Sequence, residues 1–138
     1  MTNAELLLEK GIRPSVQRLA VFNYLKEHPV HPTAEKIYSE LAPENPTLSK
    51  TTVYNTLHLF SQKNLVTILR IEDEEVRYDG NTSPHLHFKC RKCGCIIDIF
   101  DEKKLRQLIS LAEEIVPSEM ELNETEINFQ GICSNCRN

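Results

Sequence analysis

The sequence predicts a mixed α/β chain in two parts, a helical first half that ends in a hairpin and a second half of strands around one helix. Three observations predict this division. Apolar residues up to about position 64 recur at helical spacing between Pro and Gly breakers. The turn-rich stretch 81–84 follows a pair of strand-like segments. The charge also changes, from a net +2 over residues 1–71 to a net −6 over residues 72–138.

The length of 138 residues suits two small domains, which we place at 1–80 and 81–138. Small domains bury little surface, so a bound metal or a partner subunit is expected to stabilise them. The chain has no apolar run of about 20 residues and no signal-like N-terminus, which predicts a cytoplasmic protein without a membrane segment. In that compartment five cysteines indicate metal binding or redox chemistry rather than disulfides.

Four helices are predicted in the first half. The first spans 3–10 and stops near Gly11, and the second opens at Pro14 and Ser15 and is apolar almost all round, so we expect it to be buried. Thr33 and Ser49 are expected to cap the third and fourth helices. Strands at 65–71 and 75–79 then flank a polar turn at 72–74. Helices followed by a hairpin are the order of a winged helix-turn-helix.

The fourth predicted helix has one apolar and one polar face. Val53, Leu57 and Phe60 fall within about 60° of one another at 100° per residue, so they face the core. The opposite face carries polar side chains, with Tyr54 at its edge: Thr51, Asn55, His58 and Gln62. Recognition helices place such side chains in the major groove, where Asn pairs with adenine. A solvated face with Tyr54 partly in the core is the alternative.

The second half is predicted to form strands at 85–90 and 95–100, a helix capped by Asp101, and a last strand at about 121–132. Four apolar residues line one face of that helix: Leu105, Leu108, Ile109 and Ala112. Strands and a helix in this order indicate an α/β domain.

Two CxxC pairs lie in this half, at Cys90/Cys93 and Cys133/Cys136. Each pair can bring two thiolates to one ion, and the two pairs together complete the tetrahedron of a structural zinc site. A single CxxC could instead be a redox pair, which the second pair disfavours. The fifth cysteine, Cys95, is expected to be a small buried apolar residue.

A second metal site is predicted from histidines and carboxylates. His85 and His87 lie two residues apart, on the same face of a strand. Asp98 interrupts an apolar strand, where a carboxylate needs a partner or a cation. Asp79 and His31 complete the candidate set. Imidazoles and carboxylates together suit Fe, Mn, Zn or Co.

The motifs that carry these features resemble the ferric uptake regulator family over nearly the whole chain. They are GIRPSVQR, HPTAEKIY, SKTTVYNTL, RYDG, HLHFKCRKCG and CSNC, which begin at residues 11, 31, 49, 77, 85 and 133. The resemblance implies a winged-helix DNA-binding domain, an α/β dimerisation domain, a four-cysteine zinc site and a regulatory metal site that draws on both domains. It also implies a homodimer on palindromic double-stranded operator DNA. Arg18 and Thr52, in two of these segments, are added to the predicted DNA contacts.

Within the family the chain is most similar to the peroxide-sensing repressors. The five regulatory ligands of that branch match His31, Asp79, His85, His87 and Asp98, whereas iron-uptake repressors usually carry Glu in place of Asp98. The resemblance implies regulatory Fe(II) or Mn(II) and peroxide sensing by iron-catalysed oxidation of ligand histidines. Cys95 stands where relatives more often lack cysteine.

Two other functions are compatible with the same residues. One is a repressor of this fold that senses the concentration of iron, zinc or manganese. The other is an enzyme, because three histidines and two carboxylates resemble a non-haem iron site. None of the motifs marks a substrate pocket, so a regulator that is not an enzyme is the preferred interpretation.

Overall fold

The computed structural model describes residues 1–70, 75–82, 85–123 and 125–138. The chain divides into two compact units, Met1–Thr82 and Ser83–Asn138, two residues later than the division placed from sequence. None of the helices in the described part of the chain has the length and apolarity needed to cross a bilayer.

Four helices and a short antiparallel pair of strands build the first unit. The helices are α1 (Asn3–Glu9), α2 (Val16–Glu27), α3 (Ala34–Leu41) and α4 (Lys50–Gln62), and the strands are β1 (Thr67–Leu69) and β2 (Arg77–Asp79). A single 3₁₀ turn, Ala42–Glu44, occupies part of the loop predicted around Pro43. The predicted hairpin turn at 72–74 lies outside the described residues.

Local capping explains where these helices begin and end. The hydroxyls of Ser15, Thr33 and Ser49 each accept a hydrogen bond at 3.1 Å from the backbone N–H three residues further on. Helix α4 ends at Gln62, and Asn64, just beyond its C-cap, has a left-handed φ of 59°. The predicted caps of α3 and α4 are therefore present, and Ser15, predicted to open the second helix, caps α2.

The core of the first unit gathers one face of each helix. Phe22 of α2 and Phe60 of α4 meet edge to face, with their ring centroids 5.7 Å apart. Helix α2 is less enclosed than predicted, because its first residue, Val16, is 77% exposed. Helix α4 buries Val53, Leu57 and Phe60 as predicted, and also Thr56.

The second unit is a three-stranded sheet with one long helix. The elements are β3 (Leu86–Cys90), β4 (Ile96–Ile99), α5 (Glu102–Ile115), β5 (Asn128–Gly131) and α6 (Ser134–Arg137). Strand β3 lies in the centre, antiparallel to β4 and parallel to β5. The predicted last strand is too long: residues 121–123 and 125–127 are irregular. Strand β5 pairs with four residues of β3, from His87 to Cys90, and the pairing ends at Asn128. The predicted mixed α/β fold class is confirmed.

Candidate metal centres and nucleic-acid interface

Parallel pairing of β3 and β5 brings the two CxxC segments together. Cys90, at the end of β3, is the register partner of Gly131, and the Arg91 N–H donates to the Gly131 carbonyl at 2.8 Å. A side chain at Gly131 would bring its Cβ within 2.9 Å of the tip of the Phe88 ring, which would then have to shift. Cys133 follows two residues later and therefore arrives beside Cys90.

Each CxxC segment is a tight turn. In the first, the Gly94 N–H donates to the Cys90 carbonyl at 2.9 Å, and the φ of Gly94 is 77°, in the left-handed region that glycine tolerates. In the second, the Cys136 N–H donates to the Cys133 carbonyl at 3.1 Å at the start of α6. Both turns direct their two sulfur atoms to one point.

The spacing of the four sulfur atoms fits a tetrahedral ion. All four lie within 4.8 Å of one another, and Cys93 Sγ is 3.8 Å from Cys133 Sγ. A tetrahedron with Zn–S bonds of about 2.3 Å has S–S edges of about 3.8 Å. The cluster of Cys90, Cys93, Cys133 and Cys136 therefore has the donors and the dimensions of a structural zinc site.

Thiol acidity in the cluster also favours a cation. The backbone N–H groups of Cys93 and Cys133 point at Cys90 Sγ from 3.5 and 3.4 Å, and these donors lower the pKa of the Cys90 thiol to about 6. Hydrogen bonding to Cys133 raises the pKa of Cys136 to about 12. Without a cation, a thiolate at one position suppresses ionisation at its neighbours, whereas zinc stabilises all four thiolates.

The prediction for Cys95 is wrong, because this residue is exposed rather than buried. The turn that follows β3 carries residues 91–95 into solvent, and the Cys95 carbonyl accepts from the Cys90 N–H at 3.0 Å. Its thiol is near the cluster: hydrogen bonding to Cys93 raises the pKa of Cys95 to about 11.

His31 and Asp79 form a buried pair in the first unit. His31 Nε2 lies 3.4 Å from Asp79 Oδ2, and both side chains are 4% exposed. The other carboxylate oxygen, Oδ1, accepts from the Asn81 N–H at 2.9 Å. Strand β2 supplies Asp79, and the loop before α3 supplies His31.

His85, His87 and Asp98 form a second set within the sheet of the second unit. Asp98 on β4 is the direct cross-strand partner of His87 on β3. Asp98 Oδ1 lies 3.3 Å from His87 Nε2 and 3.6 Å from His85 Nε2. The two imidazole rings meet edge to face with centroids 4.5 Å apart. The side chain of Asp98, predicted to need a partner, faces both imidazoles.

The donor spacings in both sets suit a divalent ion. Nitrogen–oxygen separations of 3.3–3.6 Å exceed a usual N–H···O hydrogen bond of about 2.9 Å. Two ligand atoms, each about 2.1 Å from a metal and about 109° apart, are separated by about 3.4 Å. Either set can therefore supply imidazole nitrogens and a carboxylate oxygen to an ion.

The polar face of α4 is exposed, as a recognition helix requires. Thr51, Tyr54, Asn55 and His58 are exposed and Thr52 is half-buried. Tyr54 is 46% exposed, so it belongs to this face rather than to the core. The helix therefore presents hydroxyl, amide and imidazole groups beside one another.

A groove of about 330 Å³ runs beside this face, between α4 and the start of α2. Arg18, Thr52 and Asn55 line it, and Arg18 Nη1 donates to the Arg13 carbonyl at 2.8 Å. That bond fixes the guanidinium at the groove wall, near the predicted base-contacting residues.

Comparison with known proteins identifies the family of this chain. Residues 9–136 match the ferric uptake regulator family. The peroxide-responsive repressor PerR of Staphylococcus aureus (strain Mu50) is 36% identical over 131 residues, which cover 95% of this chain and 86% of that protein.

Two solved structures illustrate the range of the likeness. PerR from Streptococcus pyogenes, studied for peroxide sensing and gene regulation, is 32% identical with a TM-score of 0.53, covering 96% of this chain and 88% of that one. The ferric uptake regulator from Pseudomonas aeruginosa with manganese is 19% identical with a TM-score of 0.77, covering 97% and 99%. At 19% identity, the likeness to the Pseudomonas aeruginosa structure shows the fold alone.

A helical unit with an exposed polar helix, joined to a unit with thiolate and imidazole clusters, defines a metal-responsive DNA-binding regulator. The chain belongs to the ferric uptake regulator family. Members of this family are metal-responsive transcriptional repressors that act as dimeric DNA-binding proteins and are not enzymes. The family predicted from the sequence motifs is thereby confirmed.

Proposed function

We propose that the chain is a cytoplasmic peroxide-sensing repressor that binds palindromic operator DNA when Fe(II) or Mn(II) occupies its regulatory site. The observation that carries the proposal is the placement of Asp98 opposite His87, with its carboxylate between two imidazoles. By the resemblance described above, iron-uptake repressors usually carry Glu in place of Asp98, so the Asp supports the peroxide-sensing branch. Relatives about 36% identical over nearly the whole chain are peroxide-responsive repressors, which supports the same assignment.

One regulatory ion is proposed to take ligands from both units: His31, Asp79, His85, His87 and Asp98. Three imidazoles and two carboxylates form a mixed nitrogen and oxygen set that suits ferrous iron and manganese. An ion that needs donors from both units restricts the angle between them. Metal binding then shifts a conformational equilibrium by its differential affinity for the two arrangements, commonly about 1–3 kcal/mol.

The second unit is proposed to form the dimer and the first to bind DNA. In the second unit α5 buries Leu105 but leaves Ile109, Leu111 and Ile115 at least 38% exposed, and Phe129 of β5 is 41% exposed. Apolar side chains left open on so small a unit are expected to be covered by a second copy. In such a dimer the angle between units sets the distance between the two α4 helices, which must be about 34 Å for half-sites one turn apart.

The proposed peroxide response requires one-electron reduction of peroxide, which the ligand side chains alone do not perform. Bound ferrous iron supplies one-electron reduction of peroxide and so generates an oxidant beside its own ligands, whereas manganese does not readily perform this step. His31 and His85 are the proposed targets, by resemblance to the peroxide-sensing branch. An oxidised imidazole is a weaker ligand, so the units lose their common ion and the dimer releases DNA.

The proposal is tested by measuring DNA affinity with each metal before and after peroxide. The zinc-loaded dimer is first used to select a duplex from a randomised pool in the presence of Mn(II). Binding of that duplex is then followed by fluorescence anisotropy with Fe(II) or Mn(II). We expect both metals to promote binding and dilute peroxide to abolish it only in the iron sample. DNA affinity that peroxide does not change in the iron sample would indicate a sensor of metal concentration. DNA affinity that does not depend on either metal would reject the regulatory site.

The proposed recognition helix has a separate test. We expect Asn55→Ala and Tyr54→Ala each to weaken binding of the selected duplex by about 1–3 kcal/mol per lost base contact, because both side chains lie on the exposed face of α4. Asn23→Ala is the matched control, since it removes an exposed amide from α2 that is not among the proposed DNA contacts. Circular dichroism checks that the fold is retained. Parental affinity in both variants would show that another surface reads the DNA.

A further inference from the structure

We propose that Arg77 is a positioning residue, which holds His31 in the backbone conformation that the regulatory metal requires. The inference rests on the regulatory site proposed above, in which His31 is a ligand. Its observations come from the first unit alone, where Arg77, His31 and Asp79 all lie.

The backbone of His31 is in a conformation that is uncommon for residues other than glycine. Its φ is 53°, in the left-handed region where a Cβ crowds the following carbonyl. The next residue is Pro32, and a proline pushes the residue before it toward extended angles. Such a conformation persists only when surrounding contacts impose it, and it occurs often at functional sites.

Strand β2 supplies those contacts. Arg77 Nη1 donates to the carbonyl of His31 at 3.2 Å, and the Tyr78 N–H donates to the carbonyl of Pro32 at 2.9 Å. Thr33 forms an isolated antiparallel bridge with Arg77. Three consecutive loop residues are thus held by two consecutive strand residues, and the side chain of Arg77 acts directly on the carbonyl of the strained histidine.

The same strand also supplies the carboxylate that faces the imidazole. Asp79, two residues after Arg77, places its Oδ2 3.4 Å from His31 Nε2. Glu75 Oε2 lies 3.3 Å from Arg77 Nη2 and so orients the guanidinium from the other side. With Arg77 fixing the backbone and Asp79 facing the ring, the distance between the two ligands is set by one strand. Residues that orient metal ligands in this way commonly change metal affinity by about 10–100-fold when replaced.

An arginine in the β1–β2 hairpin could instead bind a DNA phosphate. The two roles predict different effects of replacing Arg77 on metal affinity and on DNA affinity. A positioning role lowers metal affinity and leaves DNA affinity near the parental value once metal is saturating. A phosphate contact lowers DNA affinity at every metal concentration and leaves metal affinity unchanged. The Arg77 side chain is 27% exposed, and the contacts above direct its guanidinium at protein oxygens, which favours positioning.

The test uses the full-length, zinc-loaded dimer and Mn(II), which avoids oxidation. Metal binding is followed directly by electron paramagnetic resonance of unbound Mn(II), and DNA binding by anisotropy of the selected duplex. The variants are Arg77→Met, which keeps the length of the stem, and Arg77→Lys, which keeps the charge but has no planar fork. Arg70→Met is the matched control, because it removes a positive charge immediately after β1, the partner strand of β2.

We expect Arg77→Met to bind Mn(II) about tenfold more weakly or worse and Arg77→Lys several-fold more weakly, while Arg70→Met keeps the parental affinity. DNA affinity at saturating Mn(II) should stay near the parental value in both Arg77 variants. Parental Mn(II) affinity in a folded Arg77→Met dimer would overturn the inference, as would weaker DNA binding at saturating metal with unchanged Mn(II) affinity. If Arg77→Met does not fold, parental Mn(II) affinity in Arg77→Lys overturns it. A parent that binds Mn(II) without any change in DNA affinity rejects the proposed function and leaves the direct binding test of Arg77 intact.

Discussion

Replacing Cys133 by serine is expected to remove zinc from the chain and to unfold the second unit or dissociate the dimer. Cys133 is buried, and it joins the segment after β5 to Cys90 at the end of β3. Structural zinc contributes on the order of 10 kcal/mol of folding free energy in small peptide domains. This exceeds what a small unit with an open apolar face is expected to gain from its own core. The same result is expected for serine at Cys90, Cys93 or Cys136.

The fifth cysteine supplies the matched control for this prediction. Cys95→Ser removes a thiol from the exposed turn that also carries Cys93, but it removes no proposed ligand. This variant should therefore retain about one zinc per chain and form the dimer as the parent does. Zinc is measured by atomic emission and the dimer by light scattering after gel filtration. A zinc-free preparation with full dimer stability would show that the cluster is not structural. Zinc loss in Cys95→Ser alone would move the ligand assignment to Cys95.

Features set by local sequence were predictable, and the helix caps show why. Ser15, Thr33 and Ser49 act on backbone groups three residues away, so their effect is contained in the sequence window that predicts it. The exposed polar face of α4 was predictable for the same reason, because residues three or four positions apart lie on the same side of a helix. Asp98 was likewise expected to need a partner because it interrupts an apolar run, and the structure places it opposite His87.

Features set by contacts between distant segments were not predictable. The last strand was predicted too long, because the sequence pattern does not show which of its residues pair with β3. The exposure of Cys95 depends on the direction in which the turn after β3 leaves the sheet. The role of Arg77 is not visible in its own segment, since its bond to the His31 carbonyl joins residues 46 positions apart. The left-handed backbone of a histidine before proline contradicts local preference, so no local rule predicts it.

The iron-loaded dimer is expected to gain one oxygen atom on a peptide that contains His31 or His85 after dilute peroxide, and the manganese-loaded dimer is expected to gain none. One oxygen of peroxide is added at a ring carbon and the other leaves as water. These rings are buried: the side chains of His31 and His85 are 4% and 5% exposed. An oxidant from bulk solvent would therefore react with exposed side chains before it reached them. Oxidation there requires an oxidant generated at the bound metal.

His58 is the internal control for that experiment, because it is exposed on α4 and belongs to neither metal set. Mass spectrometry of the digested dimers should find His58 unmodified in the iron sample while His31 or His85 carries the added oxygen. Modification of His58 to the same extent would mean that the oxidant is free in solution. Asp98→Glu should remain metal-responsive but become less peroxide-sensitive, because a longer side chain moves the carboxylate relative to His85 and His87 and so repositions the ion. Unmodified histidines with oxidised Cys90, Cys93 or Cys95 would instead identify a thiol-based sensor, and an unmodified protein that still binds DNA would identify a sensor of metal concentration.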